Sequence, residues 1–290
     1  MKIFRNICFA WAFILSSIGV AENLVVPDAQ LGNYVAVDDL QWNRYTTAGN
    51  VTILSIDDSQ GKWLSDNVTL IRTQILSKWG FSDFKSQAEI RIFCVPDRDT
   101  LKKLFSIEKS RIEKRDDLIA MWVVLGSDLV SDFSPCMEEA VFYDYELNSK
   151  VDLPFWFKRG AIGLSAGVGE VNEGIKALKA SVDNNQLFSM DRIFKMDPEA
   201  FDKESQQQKE LFDRQATGLC LMLRREFGGI KLRVFLDSCS SEGVEKSLQG
   251  VYNFNGVAHF SKQYLHYLRD LCAQAVEDKI SASYLTIKAL

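Results

Sequence analysis

The stretch "LPFWFKRGAIGLSAG", Leu153–Gly167, reads as a helix with a basic pair set into an apolar run. The helical neighbours of Arg159 at three and four residues are Phe155, Trp156, Ile162 and Gly163, all apolar or small. Arginine is rarely buried without a partner. Two arrangements satisfy it: an acidic residue on a facing helix, or a guanidinium that reaches solvent beside Lys158. Ser165 lies between glycines in "GLSAG", but inside a helix and not at a strand-to-helix elbow, so it is no nucleophile signature.

The carboxy-terminal half around this stretch is helical. "SPCMEEAVFYDYEL" opens with Ser134 as a candidate N-cap and Pro135 in the first turn. "FSMDRIFKMD" is a short amphipathic piece. "RQATGLCLMLRREF" is a helix ended by Gly228-Gly229, and "IKLRVFLDSC" continues in another. "GVGEVNEG", Gly167–Gly174, follows no strand and reads as one helix ending and the next beginning. From Val257 to Ala275 the residues Val257, Phe260, Tyr264, Leu268, Leu271 and Ala275 form a stripe of helical period.

The amino-terminal half alternates strands and helices. "NVTILSID" (Asn50–Asp57), "AEIRIFCVP" (Ala88–Pro96) and "LIAMWVVLG" (Leu118–Gly126) read as strands. "WLSDNVTLIRTQILSKWGF" reads as a helix with Leu70, Ile71, Ile75 and Trp79 inward, and "DTLKKLFSI" as a short helix. The expected class is α+β: a small mixed, β-rich half feeding a helical half.

Residues 1–21 have a different character. Lys2 and Arg5 precede an uncharged run, Ile7–Val20, and Gly19 and Ala21 fit a cleavage site. The run has 14 residues, short of the ~20 that span a bilayer, so the pattern predicts a signal peptide and export to a periplasm or the extracellular space. Loss of Lys2 and Arg5 takes the net charge from −5 to −7. With no basic block, nucleic-acid binding is disfavoured. No later segment approaches membrane-spanning length. Five cysteines follow the signal (Cys94, Cys136, Cys220, Cys239 and Cys272), open either to pairing or to packing as small apolar residues.

Catalytic signatures are missing. The two histidines, His259 and His266, lie seven residues apart on one helix, too far to share a zinc ion, and they share the polar face with Gln263 and Asp270. H-E-x-x-H, a P-loop and a dinucleotide fingerprint are all absent, and "GLSAG" matches G-x-S-x-G only inside a helix, away from a strand-to-helix elbow.

From about Leu118 to Asp270 the order of segments nevertheless resembles the peptidase MA-like domain of gluzincin metallopeptidases. In that family a strand leads into a helix bearing H-E-x-x-H, and a second helix opens with a Pro-x-Trp-Leu-x-Glu-Gly-like motif whose Glu is the third zinc ligand. Pro154, Trp156, Phe157 and Gly160 fit the second motif. "LFSMDRIFKMDPEAF", "RQATGLCLMLRREFGGIKLRVFLDSC" and "GVYNFNGVAHFSKQYLHYL" are similar to the segments that follow it. The resemblance divides the chain into residues 22–117, an α/β part, and 118–290, a mainly helical peptidase MA-like part, together one continuous unit.

The site itself departs from the family. Glu138 or Glu139 is the candidate surviving Glu, but neither register supplies a histidine. Arg159 stands at the third ligand position. A guanidinium has five donors and no acceptor, so it cannot ligate zinc. The resemblance thus implies a pseudo-peptidase with no catalytic zinc and no other cofactor. It would bind a peptide or protein partner, or serve a structural role, with Arg159 bridging Glu138 or Glu139 across the vacated centre. A groove beside Trp156 and Arg159, or an edge strand near Leu118–Gly126, would hold the partner. The alternative is an active hydrolase with an atypical site, such as a metal held by Glu138, Glu139 and Asp144.

Overall fold

The computed structural model describes residues 42–276, except 48, 116–117 and 126–128. The expected signal peptide lies outside the described residues. The chain is α+β. Five strands form one mixed sheet in the order β1-β2-β3-β5-β4. The strands are β1 (Asn43–Thr47), β2 (Val51–Ser55), β3 (Glu89–Val95), β4 (Arg111–Arg115) and β5 (Leu118–Val124). β2, β3 and β5 run parallel, and the two edge strands β1 and β4 are antiparallel to their neighbours.

Alternation along the three inner strands sends side chains to two different cores. Ile53, Ile90, Ile92, Cys94, Met121 and Val123 face the main core. Leu54, Phe93, Val95, Trp122 and Val124 face a smaller one. The smaller core is capped by helix α2 (Arg98–Phe105) through Leu101 and Phe105, and there Phe93 and Trp122 pair in register with stacked rings. Both faces are covered, so β3 and β5 carry long apolar runs.

Helix α1 (Asp58–Lys78) links β2 to β3. Asp57 caps it, accepting from the Gln60 backbone N–H at 2.9 Å. α3 (Leu129–Ser149) follows β5 and packs against α4 (Phe155–Ser165). α3 starts upstream of the expected Ser134 cap, which leaves Pro135 inside the helix. α5 (Val168–Asp183) starts at Gly167, whose φ of 107° is open to glycine, so the chain does turn between two helices there. The short α6 (Met190–Lys195) and α7 (Pro198–Asp202) lead to α8 (Gln206–Glu242). α8 is broken at Gly228, with φ 78° and ψ 163°, where the sequence places a helix end. α9 (Val244–Tyr252) and α10 (Gly256–Val276) complete the helical half. In α10 Phe260, Tyr264, Leu268, Leu271 and Ala275 are buried, as the period predicts.

Two close crossings lock the elements together. A Cβ on Gly160 of α4 would overlap the Ala216 carbonyl of α8, so only glycine lets these helices approach. A Cβ on Gly80, at the end of α1, would overlap the Gly229 carbonyl just past the break in α8. Arg233 of α8 donates to the Gly80 carbonyl oxygen at 3.3 Å and pairs with Asp83. These contacts join the end of the first helix to the centre of the helical half.

Among the described residues no disulfide joins the five cysteines, and all but Cys239 are buried, so they pack as small apolar residues. The expected edge strand at Leu118–Gly126 is corrected by the topology: β5 lies between β3 and β4, and β4 forms that edge. "RIEKR" was not legible as a strand because its charged residues hide the alternation.

Candidate functional site

α1, α3, α4 and α8 converge on Glu138. The final turns of α1 carry Ile71, Ile75 and Lys78 along one stripe, so Lys78 is delivered to the interior with its apolar neighbours. Its Nζ donates to both carboxylate oxygens of Glu138 at 3.2 Å and to Ser165 Oγ at 3.3 Å. Trp79 Nε1 also donates to Glu138 Oε1. The Glu138 side chain is 0% exposed and that of Lys78 only 6%. Arg224 of α8 stands over the Trp79 ring, 5.9 Å from its centroid, and Cys220 Sγ contacts the Phe157 carbonyl at 3.6 Å. Phe142 and Phe157 close edge-on around the indole.

Burial pushes the Glu138 carboxyl above its ordinary range, against the opposing pull of Lys78 and of the Trp79 hydrogen bond. Burial likewise lowers the Lys78 ammonium, which Glu138 partly offsets and the Arg224 charge reinforces. Each group is tolerated inside because the other is there.

The expected bridge from Arg159 to Glu138 or Glu139 is corrected. Arg159 Nε donates to Asp213 Oδ1 of α8 at 2.8 Å, and its Nη2 pairs with Oδ2 of the same carboxylate. The guanidinium lies 5.0 Å from the Phe201 ring centroid. Burial lowers its pKa, but the hydrogen bonds and charge of Asp213 outweigh that and hold it above the ordinary value. The reason is rotational. The buried face of α4 is Trp156, Phe157, Gly160, Ala161 and Leu164, which turns Arg159 toward α8 and away from α3.

The three carboxylates proposed for an atypical metal site are held apart by separate cations. Glu138 meets Lys78. Glu139 meets Lys114 of β4 at 3.2 Å. Asp144 meets Arg72 at 2.6 Å and also accepts from the Ala88 N–H. Among the described residues no three His, Cys, Asp or Glu side chains stand close enough to hold a metal ion. His259 and His266 sit on an exposed face, the latter 3.7 Å from Asp270.

Trp156 is 1% exposed, packed edge-on against Phe157 and Phe194. It fills the interior and lines no groove. Among the described residues its Nε1 meets no hydrogen-bond acceptor. Arg159, by contrast, is half-buried at the surface end of α4.

As built, the centre keeps its charged groups engaged with one another. A general base needs a lone pair facing a water or substrate. Here the Glu138 carboxylate is engaged by an ammonium and an indole N–H, and neither its oxygens nor the Lys78 ammonium faces solvent. Lys78, Asp213 and Arg224 were not singled out by the sequence. The readable signal for Lys78 is a lysine on an apolar stripe; for Asp213 it is an acid one turn before the Ala216-Thr217 contact with α4.

No family model matches the chain, and no curated protein matches it significantly in sequence.

Proposed function

We propose that this chain is an exported, non-catalytic protein on a gluzincin-like peptidase plan, and that it binds a peptide or protein partner. One observation carries the reading. Glu138, the residue that the family pattern would make the catalytic Glu, is sealed in a Lys78–Trp79 cage, with Arg159 on the next helix turned to Asp213. Its order of strand, helix and Pro-x-Trp helix supports the family assignment.

The partner is assigned to β4, which forms an edge of the sheet among the described residues. Its outward backbone groups offer an extended chain a ladder to join. The side chains of Arg111, Glu113 and Lys114 discourage pairing with a second copy while leaving that ladder available to a chain of complementary charge. Trp156 itself is buried, so it contributes packing and not a contact surface to this reading.

The test uses the purified full chain. Zinc content and casein hydrolysis are measured with and without chelator, and peptides selected by display are then mapped by amide hydrogen exchange. The expected result is no chelator-sensitive hydrolysis and slowed exchange across Arg111–Arg115. Stoichiometric zinc with chelator-sensitive cleavage overturns the reading.

A further inference from the structure

A cleft of about 390 Å³ opens between α4, α5 and α8, with Asp213, the partner of Arg159, in its lining. Its interior is apolar and small. Val171 and Ile175 are buried in its wall, and Gly163 and Gly174 contribute no side chain. Gly163 is fixed as glycine, because a Cβ there would overlap the Thr217 hydroxyl. Gly174 is open: a Cβ would lie 3.7 Å from Arg214 Cγ, an ordinary contact. The void at Gly174 is therefore not forced by helix packing.

The mouth is acidic. Glu170 and Glu173 are exposed at its rim, and Asp213 forms one wall. The lining cation, Arg214, is drawn to Glu210 at 3.1 Å, while Glu173 pairs with Lys176 at 3.0 Å and Asp213 with Arg159, which leaves Glu170 as the principal carboxylate of the rim. Glu170 lies in the first turn of α5, where its charge offsets the positive end of that helix. An apolar slot with a carboxylate rim suits a side chain that has an aliphatic stem and a cationic head.

We propose that this cleft takes the side chain of a lysine or arginine from a partner polypeptide. The inference rests on the binding reading above and adds to it. Asp213 of the cleft wall is the partner of Arg159, so the cleft adjoins the surface end of that pair.

The experiment is a ¹⁵N NMR titration of the full chain with three peptides: acetyl-Ala-Lys-Ala-amide, acetyl-Ala-Arg-Ala-amide and the neutral acetyl-Ala-norleucine-Ala-amide. Saturable shifts are expected for the Lys or Arg peptide at the amides of Gly163, Val171, Gly174 and Thr217. The neutral peptide should bind about tenfold more weakly, a difference of about 1.4 kcal/mol. Glu170→Gln with Glu173→Gln should weaken the basic peptides by a similar factor, and Gly174→Leu should abolish the shifts by filling the slot. Shifts scattered over the whole acidic surface, equal binding of norleucine, or indifference to both variants overturns the inference. Shifts at the cleft with none at Arg111–Arg115, and no β4 protection by longer peptides, would sink the edge-strand reading and leave the cleft standing.

Discussion

Of the ion pairs that join helices in this protein, two differ in kind. Lys78–Glu138 is sealed, with side-chain exposures of 6% and 0%. Arg159–Asp213 stands at the rim of a cleft, with exposures of 37% and 33%. The outer pair has the better geometry, a two-point guanidinium–carboxylate contact. The inner pair has the greater consequence, because removing one partner leaves a charge with no water to turn to. Burial, more than contact quality, decides what such a pair does for the fold.

The contrast can be broken most directly at Lys78. Lys78→Met should cost about 3–5 kcal/mol in urea denaturation, and Lys78→Met with Glu138→Leu should recover most of it. A single variant as stable as the parent, or a double variant no better than the single, would erase the distinction. The same variant sharpens it through pH. The folded-state pKa of Glu138 is raised, so the folded protein binds that proton more tightly than the unfolded chain does. Without Lys78 this imbalance grows. Stability of Lys78→Met should therefore fall as pH rises from the unfolded carboxylate value of about 4.3 toward neutrality, and recover at pH 5. Equal urea midpoints at pH 5 and pH 7 would contradict it.

The next effect down is steric. Gly160→Ala forces a methyl into the Ala216 carbonyl and should lose about 1–3 kcal/mol, read as a drop in Tm. At the bottom lies Arg159→Met, which should cost less than about 1 kcal/mol, since a pair this exposed is largely screened. If Arg159→Met proves as damaging as Lys78→Met, the ranking by burial is wrong.

Much of the scaffold was legible. The inner strands β2, β3 and β5 declare themselves by short β-branched and apolar runs, and α10 by its stripe from Phe260 to Ala275. The edge strands were not legible, because "NRYTT" and "RIEKR" carry polar and charged residues. Such side chains protect an edge and also mask its period. Within the site, Arg159 stood out as a charge on an apolar helix face, and the family resemblance offered Glu138 or Glu139 as its partner. That pairing failed because periodicity says which face of a helix turns inward, and not which neighbouring helix lies opposite. Lys78 was overlooked for a related reason: adjacent to Trp79 at a helix end, it looked like a solvated terminus.

The Gly80–Gly229 crossing has a consequence for the order of events during synthesis. Arg233 reaches the Gly80 carbonyl across 153 positions of chain. Contacts of such separation close late, because the intervening segment must be ordered first. The end of α1 therefore leaves the ribosome with Lys78, Trp79 and Phe81 still lacking the α8 surface that receives them. A nascent chain stopped before Gln206 would hold its sheet but leave that helix end uncovered, so the amino-terminal half would depend on the rest of the chain to become water-tight.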